Sequence, residues 1–318
     1  MPPELTVVIP AHNPDAGRLG RTLAGLRGQT LPQERWETIL IDNASERFPA
    51  AEECLRAGPQ NLRLVREPEL GLTAARIRGF QEARAPSAVL VDDDNVLAPD
   101  YLEQALRLLA AHAGVGALGG RVHPEFETEP APWQREFLAL LALREPGERA
   151  VISRGLHPSG AAANEYPVDS APVGAGMIVR RAAWEAWLRE RAAQPDGISD
   201  RRGGALTSSG DNDIVLTIMR QGWEVGSFPE LSLLHLIPAG RLEARYLARL
   251  NRGIQESWMR VLTKHGANPW PPISPAGAAL RQCKAWFSYR AWSGPAARIR
   301  WHGASGHFAG RVRSRPRS

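Results

Sequence analysis

Three consecutive carboxylates, Asp92, Asp93 and Asp94, end the short apolar run Ala88-Val-Leu-Val91. Like charges in a row repel unless a cation or hydrogen-bond donors meet them. A run this short and this aliphatic reads as a buried strand, so the acids fall at a strand end. Side chains alternate along an extended chain, which would aim Asp92 and Asp94 to one face and Asp93 to the other. A hard divalent cation takes one or two protein carboxylates and leaves its other positions to water and phosphate oxygens. The chemistry this predicts is a metal–diphosphate site; the plainer reading is an acidic loop solvated at a strand end. Asp42 closes a second apolar run, Thr38-Ile-Leu-Ile41. It is placed to accept from a base edge or ribose hydroxyl, or to cap a helix. Arg76, beside Ala74 and Ala75, is a diphosphate clamp or a solvated helix arginine. Asp211 heads a stretch whose apolar face is Ile214, Val215, Ile218 and Met219. Free N–H groups and the dipole of a helix start keep such a carboxylate ionised.

The elements that must hold these residues alternate. Thr6–Pro10 reads as a strand, followed by the loop 11–15 and a helix marked by Leu19, Leu23 and Leu26. Further strands are expected at Thr38–Ile41, Leu62–Val65, Ala88–Val91, Val115–Val122 and Ala175–Val179. Helices are expected over 71–85, 99–114, 182–191 and 211–222, with last strands at 223–228 and 231–236. Strands alternating with helices predict a doubly wound, mostly parallel sheet. Its crossover handedness sets all strand C-terminal ends on one edge. Residues 123–170 are poorly periodic and read as a long irregular connection, and 194–209 as a loop able to close over a ligand. Arg241–His265 is expected to be an amphipathic helix carrying Leu242, Tyr246, Leu250, Ile254 and Trp258. The division expected is a catalytic domain over 1–240, split near 122, and a helical extension over 241–318.

The net charge of +5 conceals an asymmetry. Glu256 is the last acidic residue; eleven of the 39 Lys and Arg follow it, as do five of the ten tryptophans. The chain before that point is therefore acidic, and the tail strongly basic. Arg and Lys interleaved with Trp predict a surface that lies on anionic lipid; a nucleic-acid patch is the reading set aside, and a helical lid is another. Lys284–Trp292 is too short to span a bilayer. Cys54 and Cys283 have no metal-ligand spacing and fit a reducing cytosol. No leader or spanning segment is read in the chain, so the expected location is cytoplasmic, peripheral on the inner face of the membrane.

Taken in order, five segments resemble family 2 glycosyltransferases of the GT-A fold, from Thr6 to about Tyr246. They are Thr6-Val-Val-Ile-Pro-Ala-His-Asn13, Ile39-Leu-Ile-Asp-Asn-Ala-Ser45, Gly71-Leu-Thr-Ala-Ala-Arg-Ile-Arg-Gly79, Val91-Asp-Asp-Asp-Asn95 with Pro99-Asp-Tyr-Leu102, and Ser209-Gly-Asp-Asn-Asp-Ile214 with Gly222-Trp223. The resemblance implies that Pro10, Ala11, His12 and Asn13 contact the nucleotide, with Asp42 on the base and Arg76 near the diphosphate. It shifts the register of the acidic cluster: Asp93 contacts ribose or sugar, Asp94 is the main metal ligand for Mg²⁺ or Mn²⁺, and Asp92 lies beside them. His235 is where a histidine completes the metal shell in such enzymes, or else it is a satisfied core residue. Asp211 matches the catalytic base, which takes the acceptor proton, although a mere helix cap is the alternative. The chain departs from the pattern at Gly210, where a Glu is usual and for which Asp213 is a substitute, and at His12, where the family has an aromatic residue. Gly174-Ala-Gly-Met177 resembles the acceptor-side loop or is a packing site.

The function this implies is inverting, metal-dependent transfer of a sugar from a nucleotide-diphosphate donor to a saccharide or lipid-linked acceptor, in cell-surface polysaccharide assembly. The alternative carried is an inactive glycosyltransferase-like scaffold with a lipid- or nucleic-acid-binding tail. A sugar nucleotidyltransferase would need a Gly-rich loop after the first strand, which Pro10-Ala-His-Asn-Pro14 lacks.

Overall fold

Strand β1 (Leu5–Ala11) is buried along its whole length because its alternating residues find cover on both faces. Leu5, Val7 and Ile9 enter one apolar cluster and Val8 a second. The computed structural model describes residues 2–154, 166–193, 200–201 and 206–312. Strands β2 (Trp36–Asn43), β3 (Leu62–Glu67) and β4 (Ser87–Leu90) join β1 in parallel, in the order β3-β2-β1-β4. A parallel sheet must be covered on both sides. Helix α1 (Ala16–Arg27) brings Leu19, Leu23 and Leu26 to the first cluster, and α3 (Leu72–Glu82) brings Ala75 and Phe80 to the second. The short α2 (Ala51–Ala57) lies between them in sequence and buries Cys54.

Beyond β4 the sheet changes character. Its later strands are β5 (Asn95–Leu97), β6 (Val115–Phe126), β7 (Val151–Ser153), β8 (Ile178–Arg180) and β9 (Glu224–Ile237). Antiparallel pairing joins β8 to β4 and β6, and β9 to β5 and β7. The path is β3-β2-β1-β4-β8-β6-β9-β5, with β7 on β9. The fold is thus mixed α/β, parallel where the first four elements alternate and antiparallel after. Helix α4 (Tyr101–Ala111) covers the first cluster; α5 (Arg181–Ala193) and the body of α6 (Gly210–Arg220) cover the second. Trp184 of α5 stacks on Phe80 at 5.0 Å between centroids.

Two sequence expectations change. The segments at 223–228 and 231–236 form one strand, β9, which runs through Pro229. Pairing along both flanks outweighs the one donor that proline lacks. The irregular connection holds a 3-10 segment, Pro132–Leu141, and the strand β7. The proposed closing loop at 194–209 lies mostly outside the described residues, as does the tip of the connection at 155–165.

The chain forms two compact units. The first comprises Met1–Glu125, Ala142–Gly197 and Ile214–Ile237; the second comprises Phe126–Leu141, Ile198–Asp213 and Pro238–Ser318. Within the second, α7 (Ala244–Lys264), α8 (Pro275–Ser288) and α9 (Pro295–Gly310) pack together. The glycines Gly303, Gly306 and Gly310 let α9 lie backbone to backbone on α7. A Cβ at Gly306 would stand 2.1 Å from the Arg252 carbonyl oxygen. Of the stripe expected on α7, Leu250 is fully buried, whereas Tyr246, Ile254 and Trp258 are half-buried. A spacing of four drifts about 40° per step around a 3.6-residue helix, and Leu247, Met259, Val261 and Leu262 take the inner positions instead. Arg300 of α9 pairs with Glu136. Among the described residues no helix is long and apolar enough to cross a membrane, and Cys54 and Cys283 are free thiols.

The second unit carries its own pH dependence. Burial, then the charges of Arg252 and Arg298, hold the His302 imidazole below its ordinary pKa. Burial and Arg311 do the same for His307. The folded state therefore binds fewer protons than the unfolded chain. Stability from these sites is full above the ordinary histidine value and is lost as pH falls through the depressed one. The melting temperature should fall between about pH 7 and pH 5.5, and His302→Asn should flatten that slope in a calorimetric series.

Candidate active site

The C-terminal ends of β1 and β2 are level: Ala11 is paired with Asp42, and Pro10 with Ile41. The chain leaves both strands in loops that knit together. Asn13, at φ 47°, donates its amide to Ser45 Oγ (2.9 Å), and its Oδ1 accepts the amides of Glu46 and Arg47. The His12 ring sits 2.8 Å from the Asn43 carbonyl, which only accepts, so Nδ1 carries the proton. Nε2 then accepts from the Asn13 side-chain Nδ2 at 3.1 Å. His12 is exposed, with its ring orientation held by these two contacts. Asp42 caps a turn rather than a helix, because no helix starts there: Oδ1 accepts the Ser45 amide at 3.0 Å. Its Oδ2 faces Arg66, the residue opposite it on β3, at 3.3 Å.

The acidic cluster lies at the end of β4, in line with β1 through the Val91 amide on the Val8 carbonyl. The expected alternation of Asp92 and Asp94 does not hold. Asn95 closes a tight turn, its amide donating to the Asp92 carbonyl (3.1 Å) while its Oδ1 accepts the Asp92 amide (3.2 Å). Its Nδ2 donates to Asp94 Oδ1 at 3.2 Å. A turn replaces the extended chain, so face counting fails, and Asp94 is the buried member while Asp92 and Asp93 are half-buried.

The strand that follows brings in His235. In the β5–β9 ladder Asn95 stands opposite His235, and the Leu236 amide donates to the Asp94 carbonyl at 2.9 Å. His235 Nε2 lies 3.6 Å from Asp94 Oδ1, both side chains buried. That separation is too long for a hydrogen bond and short enough for one ion to touch both. The carboxylate oxygen suits Mg²⁺ or Mn²⁺, and the imidazole nitrogen beside it favours Mn²⁺ over the oxygen-preferring Mg²⁺. Among the described residues no third His, Cys, Asp or Glu joins them in a metal-binding cluster.

Arg76 is buried on α3 and is not a solvated helix arginine. Ala75 is small because it fills the core with Val8 and Ile41. The start of α3 is fixed by a residue that the sequence reading passed over, Asn43. Its Oδ1 accepts the Gly71 amide (2.8 Å), and its Nδ2 donates to the Glu69 carbonyl (2.6 Å). In Gly174–Met177 the Tyr101 hydroxyl donates to the Gly176 carbonyl at 2.6 Å, and Gly176 has φ 76°.

Asp211 belongs to the second unit, in the first turn of α6. Its Oδ1 accepts the Asn212 amide at 2.9 Å. Three anchors set this turn. Ser257 of α7 accepts the Ser208 amide at 3.3 Å and lies 3.4 Å from the Ser209 hydroxyl, where Ser209 has φ 108°. Asp200 Oδ1 accepts the Gly210 amide at 2.7 Å. Asp213 Oδ1 accepts from Lys264 Nζ (2.6 Å) and His265 Nε2 (2.8 Å). Asp213 is thus a buried anchor and not a stand-in for the missing Glu. Gly210 is itself accounted for, since a Cβ there would come 2.1 Å from Asp200 Oδ2. Neither Asp200 nor Ser257 carries a signal in a single sequence: each is one polar residue whose partner depends on tertiary packing.

Succinoglycan biosynthesis protein ExoW of Rhizobium meliloti (strain 1021) is 34% identical over 107 residues, which is 32% of this chain and 33% of ExoW. Glycosyltransferase AglE of Haloferax volcanii is 27% identical over 124 residues, 38% of this chain and 40% of AglE. The matched stretch is therefore less than half of either relative. The crystal structure of S. aureus TarS 1-349 has the same fold, with a TM-score of 0.52 at 12% identity, covering 96% of this chain and 89% of that one. The sequence model described as Glycosyl transferase family 2 matches residues 6–187, from β1 into α5, and so takes in His12, Asp42, Arg76 and Asp92–Asp94 but not His235. With more than half its length in that match, the chain belongs to glycosyl transferase family 2.

Proposed function

We propose that the chain is an inverting glycosyltransferase that moves a sugar from a nucleoside-diphosphate donor to a saccharide or lipid-linked acceptor, with a divalent cation at Asp94 and His235. The observation that carries this is the Asp94–His235 pair at 3.6 Å, set at the strand edge where Asp42 and His12 are already arrayed. In α/β sheets that edge is where ligands bind. His12 and Asp42 would hold the base and ribose, and Asp93 the ribose or sugar. Arg76 would meet the diphosphate with a planar donor set. A bound Mg²⁺ or Mn²⁺ would neutralise charge on the departing diphosphate. Asp211 takes the proton of the acceptor hydroxyl as that oxygen attacks the anomeric carbon and the nucleoside diphosphate leaves from the opposite face. One displacement inverts the anomeric configuration. ExoW, by its name, serves succinoglycan biosynthesis, and assembly of a surface polysaccharide or glycolipid is the setting we propose here.

The test is calorimetric titration of UDP, GDP and dTDP in Mn²⁺ and in EDTA. One of them should bind at least about tenfold more tightly with metal, and Asp94→Asn or His235→Ala should each abolish that gain. Equal affinity with and without metal would remove the cation from the reading.

A further inference from the structure

Helix α8 buries one side and leaves the other uncovered. Ala278 and Ala285, seven residues apart, face inward with α9 alongside. Leu280 and Phe287 follow each of them by two residues, about 200° around the helix, and are 71% and 63% exposed. The turn after α8 extends the same apolar surface. Trp292 is 53% exposed and packs edge-on against Phe287 at 5.9 Å. Half-buried Trp286 supports it from below, lying 6.4 Å from Trp292 and 4.9 Å from Trp301. The exposed large aromatics of the described chain are Trp270, Phe287, Tyr289 and Trp292, all beyond Glu256. Isolated apolar residues on a surface need no explanation, but a contiguous patch does.

Charge identifies what the patch meets. Arg281, Lys284 and Arg290 are exposed in the same stretch of chain. None forms an ion pair among the described residues, and the sequence has no acid after Glu256 to offer them. Aliphatic and aromatic side chains in the middle, with Trp and Tyr at the margin and Arg and Lys outside, match the interface of an anionic bilayer. A second copy of the chain would bring like charges together across a two-fold interface. Single-stranded nucleic acid is held by rings on which successive bases stack, whereas the most exposed apolar residue of this patch, Leu280, is aliphatic. At 14 residues α8 is too short to span and would lie flat.

We propose that α8 and the turn to Trp292 form a membrane-docking face, with Leu280, Phe287 and Trp292 in the acyl boundary and Arg281, Lys284 and Arg290 on lipid phosphates. It deepens the lipid-linked acceptor reading above, on which its purpose rests, but docking is measured without donor or acceptor, so either can fail alone. Cys283 is exposed on this face and Cys54 is buried, so an environment-sensitive dye labels the native chain at one place. Equimolar phosphatidylcholine–phosphatidylglycerol vesicles should shift its emission to the blue, and pure phosphatidylcholine vesicles should not. In co-sedimentation of unlabelled protein, Phe287→Ser with Trp292→Ser should weaken partitioning by at least about tenfold. Arg281→Glu with Lys284→Glu should do so by a similar factor, with circular dichroism unchanged in both. The proposal is overturned if the native chain ignores the anionic vesicles or if the variants partition as it does. It is equally overturned if the aromatic pair instead abolishes a concentration-dependent dimer or oligonucleotide binding.

Discussion

Asp211→Asn should lower the rate of sugar transfer by about 10²–10⁴-fold, the range that a positioned general base supplies, while nucleoside-diphosphate binding in Mn²⁺ stays as in the native chain. The substitution keeps the shape of the side chain and the Oδ1 acceptor for the Asn212 amide. The turn set by Ser257, Asp200 and Asp213 is therefore undisturbed. What is lost is the second oxygen, replaced by an amide nitrogen that takes no proton. A single-turnover assay separates this from a binding defect, because donor occupancy is saturated before acceptor is added. Native rates in the variant would strike Asp211 from the mechanism. A matched loss of donor affinity would make it a structural cap.

Asp213→Ala should be the most destabilising of the conservative changes around that turn, by about 3 kcal/mol. Asp213 is almost wholly buried, and its Oδ1 receives both the Lys264 ammonium and the His265 imidazole. Removing it deprives two donors, one of them cationic, of the buried acceptor they share. Lys264 retains some solvent contact, which keeps the loss at the low end of the range for a broken buried pair. In a chain of this size that is a fall in melting temperature on the order of 10 °C. Asp213→Asn keeps an acceptor and should lose about half as much. An unchanged melting temperature in the alanine variant would show that Lys264 and His265 find other partners.

Much of the first unit was legible because its signals are local. Short aliphatic runs bounded by Pro10, Asp42 and Asp92 declare buried strands, and the turn residues that follow them declare loops. The parallel order follows from the alternation with helices. Three things were not local. Asp92 and Asp94 were assigned to one face because nothing in the run Val91–Asn95 says that Asn95 folds back on Asp92. His235 was ambiguous until the β5–β9 ladder set it opposite Asn95, and that register is a long-range property. Arg76 gave no sign of burial, since an arginine in a helical pattern is usually solvated. The tail beyond α7 was read mainly from composition. Its basic, Trp-bearing character was plain, but the outward turn of Phe287 and the inward turn of Ala285 depend on where α9 lies. For Gly210 the sequence showed a departure and no cause, because the Asp200 carboxylate that fills its place is ten residues upstream.

The β5–β9 ladder has a consequence for biogenesis. Asp94 emerges from the ribosome early, with the strands of the parallel half, whereas its partner His235 lies on the last strand of the sheet. Pairings between chain segments this distant form late, since the closure entropy of a long loop is spent before any contact repays it. A nascent chain that stops short of β9 therefore carries the acidic turn without its partner strand. On the function proposed above, a cation at Asp94 and His235 would bind, and so stabilise, only a chain whose sheet is complete.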